Sequence, residues 1–226
     1  MTPAGAEVPP VPVAPPAPGG PPVPAWLRQL AADASTMELP PMLVPPAGTG
    51  RPSAVLVLFS EGPGGPGDPD LLFIQRSDGL RLHAGQPAFP GGSIDAADSG
   101  PVAAALREAA EEVGVDPDGV EVVGTLPELF IPPTGFRVVP VLAWWRQPVA
   151  VAPVDTGEVA AVERVSVREL ADPAARLMVR VRDGRTTPAF RVRGMVIWGF
   201  TAALVDGLLR LGGWERPWDA ALVVDL

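Results

Sequence analysis

The stretch Ser53–Ser60 (SAVLVLFS) is apolar almost without interruption and rich in branched side chains, the pattern of a buried strand. Beyond it the glycines and prolines of EGPGGPGDPD turn the chain, and LLFIQRS returns as the second strand of a hairpin. Further strands are predicted at VEVVGTL (Val120–Leu126), at FRVVPVLAWW (Phe136–Trp145), over Val162–Leu170, and last near Phe190. Helical spacing marks three segments: PAWLRQLAAD near the start, AAALREAAEEVGV (Ala103–Val115), and Trp198–Leu211. Strands alternating with helices predict an α/β or α+β domain with a mixed sheet, and no internal repeat is present.

The N-terminal region departs from this pattern. Ten of the first 24 residues are proline, a composition with little to bury. Residues 1–25 therefore read as a disordered or polyproline-like tail, either passive or a docking segment for a proline-binding partner. Residues 26–52 read as a short helix and linker, and 53–226 as the folded domain.

Composition narrows the chemistry. The 226 residues suffice for one substantial domain and contain no cysteine, which excludes disulfides and thiolate chemistry. All 17 basic residues are arginine, so Schiff-base lysine chemistry is excluded as well. A metal would be held by oxygen ligands or by the single histidine, His83, favouring Mg2+ or Mn2+ over zinc. The net charge of -9 argues against a nucleic-acid binder with a broad basic surface, yet allows a small anionic ligand in a local arginine pocket. The longest apolar run, Gly194–Val205, is too short to cross a bilayer. No secretory signal is recognisable at the N-terminus, so a soluble, cytoplasmic protein without membrane partners is expected.

In the central helix, Val102, Leu106, Ala109 and Val113 fall on one stripe, and Glu108, Glu111 and Glu112 crowd a different face at i, i+3 and i+4. Carboxylates so placed repel one another. Two readings follow: a solvated acidic face, or a site where a divalent cation relieves the repulsion. Gly114 supplies a stop that tolerates positive φ. Upstream, FPGGSIDAADSG places paired glycines where the backbone can approach a ligand closely.

Together these residues resemble the signature of the Nudix hydrolases: Gly92, then Arg107, Glu108, Ala109, Glu111, Glu112, Gly114 and Val115 occupy its positions. The acidic position before the helix holds Asp98 in place of glutamate. Eight residues separate it from Arg107 where seven are usual, which reads as a loop variation that weakens any role assigned to Asp98. The segment LFIQRSDGLRLHAGQPAFPGG is similar to an additional signature of the coenzyme A pyrophosphatase branch, through Arg76, Ser77, Arg81, Gly85, Phe89, Pro90, Gly91 and Gly92, with Ile74 standing where threonine is usual. The ending GMVIWGFTAALVDGLL is also similar to that branch.

The resemblance implies an α/β/α sandwich and metal-dependent hydrolysis of the pyrophosphate bond of coenzyme A or its derivatives, giving 4′-phosphopantetheine and adenosine 3′,5′-bisphosphate. The alternatives are another nucleoside diphosphate derivative, such as ADP-ribose or a dinucleotide, or a non-catalytic nucleotide-binding module of the same fold. It implies that Glu108, Glu111 and Glu112, with the Gly91 carbonyl, hold Mg2+ or Mn2+, and that Arg107 orients these glutamates. The water proton would go to a helix glutamate, Glu111 being the one assigned, or to Glu158 in the loop VDTGEVAAVERV. Arg76 and Arg81, with Gly91 and Gly92, are the expected substrate contacts, because guanidinium groups match phosphate oxygens. Structural pairing with nearby acids is the other reading for the two arginines, as a turn position is for His83. A homodimer is one assembly open to the chain, and the sequence carries no signal that selects an oligomeric state.

Overall fold

β1 (Arg51–Glu61) carries the first apolar run because both of its faces are covered: Leu56 and Leu58 point to one side, Val57 and Phe59 to the other, all fully buried. The computed structural model describes residues 19–37, 43–46, 48–65, 67–80, 83–132, 134–181 and 184–225. The tail up to residue 18 and Arg81 lie outside the described residues.

β7 (Phe136–Trp145) runs parallel to β1, with Phe59 opposite Trp144. β2 (Pro69–Arg76) returns antiparallel on the other edge as the expected hairpin, Phe59 opposite Leu71. β8 (Val159–Ser166) lies antiparallel outside β2. The far edge of β7 is shared by β5 (Val120–Thr125) and β6 (Leu129–Ile131). The hairpin splays, because β1 and β2 pair only near the turn. Into the gap run β3 (Pro87–Ala88), paired to β2 at Ile74, and β4 (Gly91–Ser93), paired to β1 at Ala54. The N–H of Leu56 donates to the Pro90 carbonyl at 2.8 Å, and Phe89 is buried in a stack on Phe73. The FPGG segment is thus built into the sheet.

α2 (Pro101–Val113) covers one face, packing Ala104, Ala105, Ala109 and Val113 on Leu56, Leu58, Leu72 and Val141. α1 (Ala25–Ser35) and α4 (Gly199–Leu211) cover the other. The result is the α/β/α sandwich with a mixed sheet. A second, four-stranded sheet follows β8 and the single helical turn α3 (Val167–Leu170). It holds β9 (Arg176–Arg180), β10 (Thr186–Val192), β11 (Met195–Ile197) and β12 (Val223–Asp225) in the order β11-β10-β9-β12. Its Phe190, Val192, Met195 and Ile197 extend the core beneath α4. The strand near Phe190, expected to be the last, is therefore followed by two more.

α1 is read from the sequence as lying ahead of the domain. In the structure it buries Leu27, Leu30, Ala31 and Ala34 in the same core as Phe59 and Leu142. The residues before it are held too, since Trp144 donates its indole N–H to the Pro21 carbonyl at 3.2 Å. Leu27→Ala should accordingly destabilise the whole domain by about 2–5 kcal/mol in urea unfolding followed at the tryptophans. A change under about 0.5 kcal/mol would mean that α1 is no part of the cooperative core.

Candidate active site

α2 sits close to the sheet because its inward residues are alanines, and this closeness sets how its three glutamates differ. The buried stripe is turned from that read in the sequence: Val102 and Leu106 are only partly buried, and Glu112 is 3% exposed. Glu112 is a buried carboxylate, not part of a solvated face. Its Oε2 accepts the Gly91 N–H at 3.0 Å, and its Oε1 stands 4.0 Å from Arg76 Nη1. Glu108, one turn earlier, is half-buried, and Glu111 is exposed. Gly114 takes φ 75° and ends the helix, its N–H turned back to Ala109 and Ala110 carbonyls.

Two glycines make the approach of β4 to α2 possible. Gly91 has φ 152°, and a Cβ there would run into the Ala54 carbonyl and the Val55 backbone. A Cβ on Gly92 would meet the carboxylate of Glu108.

Arg107 organises the outer side of this cluster. Its Nε and Nη2 donate to the two oxygens of Asp98, both at 3.1 Å. Nη2 also donates to the Ser93 carbonyl at 3.1 Å, and Nη1 to Glu111 at 2.9 Å, with Glu108 at 3.1 Å. Arg107 thus holds two helix glutamates against the β4 turn, in keeping with an orienting role. The sequence reading, in which the extra loop residue weakens any role for Asp98, is corrected by its contact with Arg107. The extra residue is absorbed in the turn where Asp95 N–H donates to Asp98 at 2.8 Å, and the carboxylate reaches Arg107 regardless. The signal was present as an acid of the right class; counting residues along the loop concealed it.

Arg76 ends β2 beside this cluster, with its Nε buried and without a hydrogen-bond partner among the described residues. Glu158, just before β8, is exposed and joined by its carbonyl to the N–H of Ser77 at 2.8 Å. His83 occupies a turn with φ 57° and binds Gln86 at 2.8 Å, a structural position. The structure therefore brings Arg76, Gly91, Gly92, Glu108 and Glu112 together, places Glu158 near enough for its charge to act on both glutamates, sets Arg107, Asp98 and Glu111 at their flank, and leaves Arg81 outside the described residues.

Negative charge accumulates here. Burial pushes the Glu112 carboxyl up to about 7, against the Gly91 hydrogen bond and the Arg76 guanidinium, and with Glu108 and Glu158 adding repulsion. Glu108 is raised by burial as well, opposed by Arg107 and reinforced by Glu111 and Glu158. Asp98 is held below the ordinary range, chiefly by Arg107. Among the described residues no three carboxylates already converge on one point, since Glu108 and Glu111 turn to Arg107 and Glu112 to Gly91. The donor set nevertheless suits a hard divalent cation: the side chains offered are carboxylates, and their mutual repulsion is what such an ion relieves.

The sandwich, the glycine turn and the glutamate helix define a Nudix domain. The NUDIX domain family matches residues 50–190, and the chain belongs to that family. An uncharacterized Nudix hydrolase, NudL, of Citrobacter koseri is 57% identical over 74 residues, 33% of this chain and 38% of that protein. Its counterpart from Klebsiella pneumoniae is 52% identical over 92 residues, 41% of this chain and 45% of the relative. The matched region thus spans less than half the length of these two relatives. The crystal structure of RenU, a Nudix hydrolase from M. smegmatis, is similar over 77% of this chain and 99% of its own with a TM-score of 0.52 and 20% identity, a likeness of fold alone. Nudix proteins generally use divalent metal ions and bind small nucleotides. Among the described residues no helix is long and apolar enough to cross a membrane.

Proposed function

We propose that this protein is a metal-dependent hydrolase of the pyrophosphate bond in coenzyme A or its derivatives. The observation that carries this reading is the gathering of Glu108, Glu112 and Glu158 around the Gly91–Gly92 turn, with the unpartnered Nε of Arg76 beside them. The choice of coenzyme A rests on the Arg76–Gly92 segment, whose spacing resembles that branch and which leads directly into the site. Glu108, Glu111 and Glu112, with the Gly91 carbonyl, would hold Mg2+ or Mn2+. Bound there, the cation neutralises pyrophosphate oxygens and acidifies a water molecule.

The side chains divide the remaining work. Arg76 and Arg81 bind phosphate oxygens, whose charge the guanidinium geometry matches. Arg107, fixed by Asp98, keeps Glu108 and Glu111 oriented. A water oxygen attacks phosphorus, the P–O–P bond opens, and the water proton passes to a carboxylate. Glu158 suits that task better than Glu111, because Arg107 already engages Glu111.

Incubating the protein with coenzyme A and Mn2+ should yield 4′-phosphopantetheine and adenosine 3′,5′-bisphosphate, read by chromatography and mass spectrometry. Hydrolysis of ADP-ribose with coenzyme A untouched would replace the substrate assignment by another nucleoside diphosphate derivative. Tight nucleotide binding with neither compound cleaved would point to a binding module.

A further inference from the structure

The loop leading into β8 is fastened at both ends. At its start, Ala152 and Val154 donate their N–H groups to the carbonyls of Val113 (3.3 Å) and Glu112 (2.9 Å), acceptors that the last turn of α2 leaves free. Asp155 then folds the chain tightly. Its carboxylate accepts the Gly157 N–H at 2.8 Å, and its carbonyl accepts those of Glu158 at 3.1 Å and Val159 at 2.8 Å. The far end is held by Ser77, the residue after β2. Its N–H donates to the Glu158 carbonyl at 2.8 Å, and its hydroxyl donates to the Thr156 carbonyl at 2.9 Å.

Ser77 takes over where the ladder stops being regular. Arg76 pairs with Val159 and Gln75 with Ala161, so the β2–β8 register slips immediately before the loop. Two hydrogen bonds from one serine restore the attachment beyond the slip. They act on the three residues that carry Glu158, and they come from the neighbour of Arg76.

We propose that Ser77 is a positioning residue, which clamps the Thr156–Glu158 turn to the end of β2 and so sets the Glu158 carboxylate beside the glutamates of α2. The inference rests on the metal-dependent reading above. It gives Ser77, one position of the segment leading to the paired glycines, a task that requires a hydroxyl and no contact with substrate.

Mn2+ binding, followed through the electron paramagnetic resonance of the free ion, tests it without reference to any substrate, because the Glu158 charge acts on Glu108 and Glu112 and so adds to the attraction these glutamates exert on a cation. Ser77→Ala should weaken Mn2+ binding about three- to tenfold, the scale of one lost hydrogen bond, while the thermal midpoint of the metal-free protein falls by no more than about 4 °C, and Ser77→Thr should restore affinity. Introduced into Glu158→Gln, Ser77→Ala should weaken binding no further, because its effect passes through that carboxylate. Equal weakening in both backgrounds, or none in the wild type, would overturn the positioning role while leaving the metal site standing. A wild-type protein with no affinity for Mn2+ would remove the metal-dependent reading itself, and the inference with it.

Discussion

Glu112→Gln should lower kcat/KM about a hundred- to a thousandfold or more while leaving the protein folded and, at alkaline pH, more stable. The activity loss follows from removing one charge where a divalent cation is expected, at almost constant volume. The stability change follows from burial. Glutamine keeps an oxygen that can accept the Gly91 N–H, and it loses the charge that burial penalises. In the unfolded chain Glu112 ionises near 4.5, and in the folded protein near 7. Between these values the native state retains a proton that the unfolded state releases. Rising pH therefore destabilises the native state across this window, by up to about 3 kcal/mol once pH exceeds 7, and the penalty is absent below 4.5. The variant lacks this dependence, so its Tm should match the wild type near pH 4.5 and exceed it at pH 8. Added Mn2+ should raise the wild-type Tm at pH 8 far more than that of the variant, because ions that bind the native state stabilise it. Wild-type turnover in Glu112→Gln would refute the metal assignment.

Gly91→Ala should destabilise the domain by about 2–4 kcal/mol in urea unfolding, through backbone strain at φ 152° and overlap with β1. The obstacles are the Ala54 carbonyl and the Val55 backbone, which belong to the central strand and cannot move aside. Gly92→Ala provides the contrast. Its new methyl meets the end of the Glu108 side chain first, which can rotate away, so stability should stay within about 1 kcal/mol of wild type. Activity should nevertheless fall, since Glu108 would leave the site. Equal destabilisation by the two substitutions would show that Glu108 is held as rigidly as the β1 backbone, and that the pair does not divide into a structural and a functional glycine.

Some features could be read residue by residue because their causes are local. The apolar run of β1, the helical spacing of α2 and α4, and the positive φ of Gly114 each depend on a few neighbouring side chains. The match of Arg107, Glu108, Glu111 and Glu112 to one signature was equally local, and it pointed to the family that residues 50–190 match. The features that escaped are contacts between distant segments. β3 and β4 are too short to show any period and exist because the β1–β2 hairpin splays. The sequence showed the helix of α1 but not the core beneath it, which comes from β1, β7 and α4.

The glutamates separate the two kinds of knowledge most clearly. Helical geometry alone determined that Glu108, Glu111 and Glu112 share one side of α2, since that spacing needs only a 3.6-residue turn. Which of them is buried was decided by how the alanines of α2 seat the helix on the sheet, turning Glu112 toward Gly91 and leaving Glu111 to Arg107 and solvent. That rotation depends on side chains from β1, β2 and β7, tens of residues away, and a local period carries no information about them.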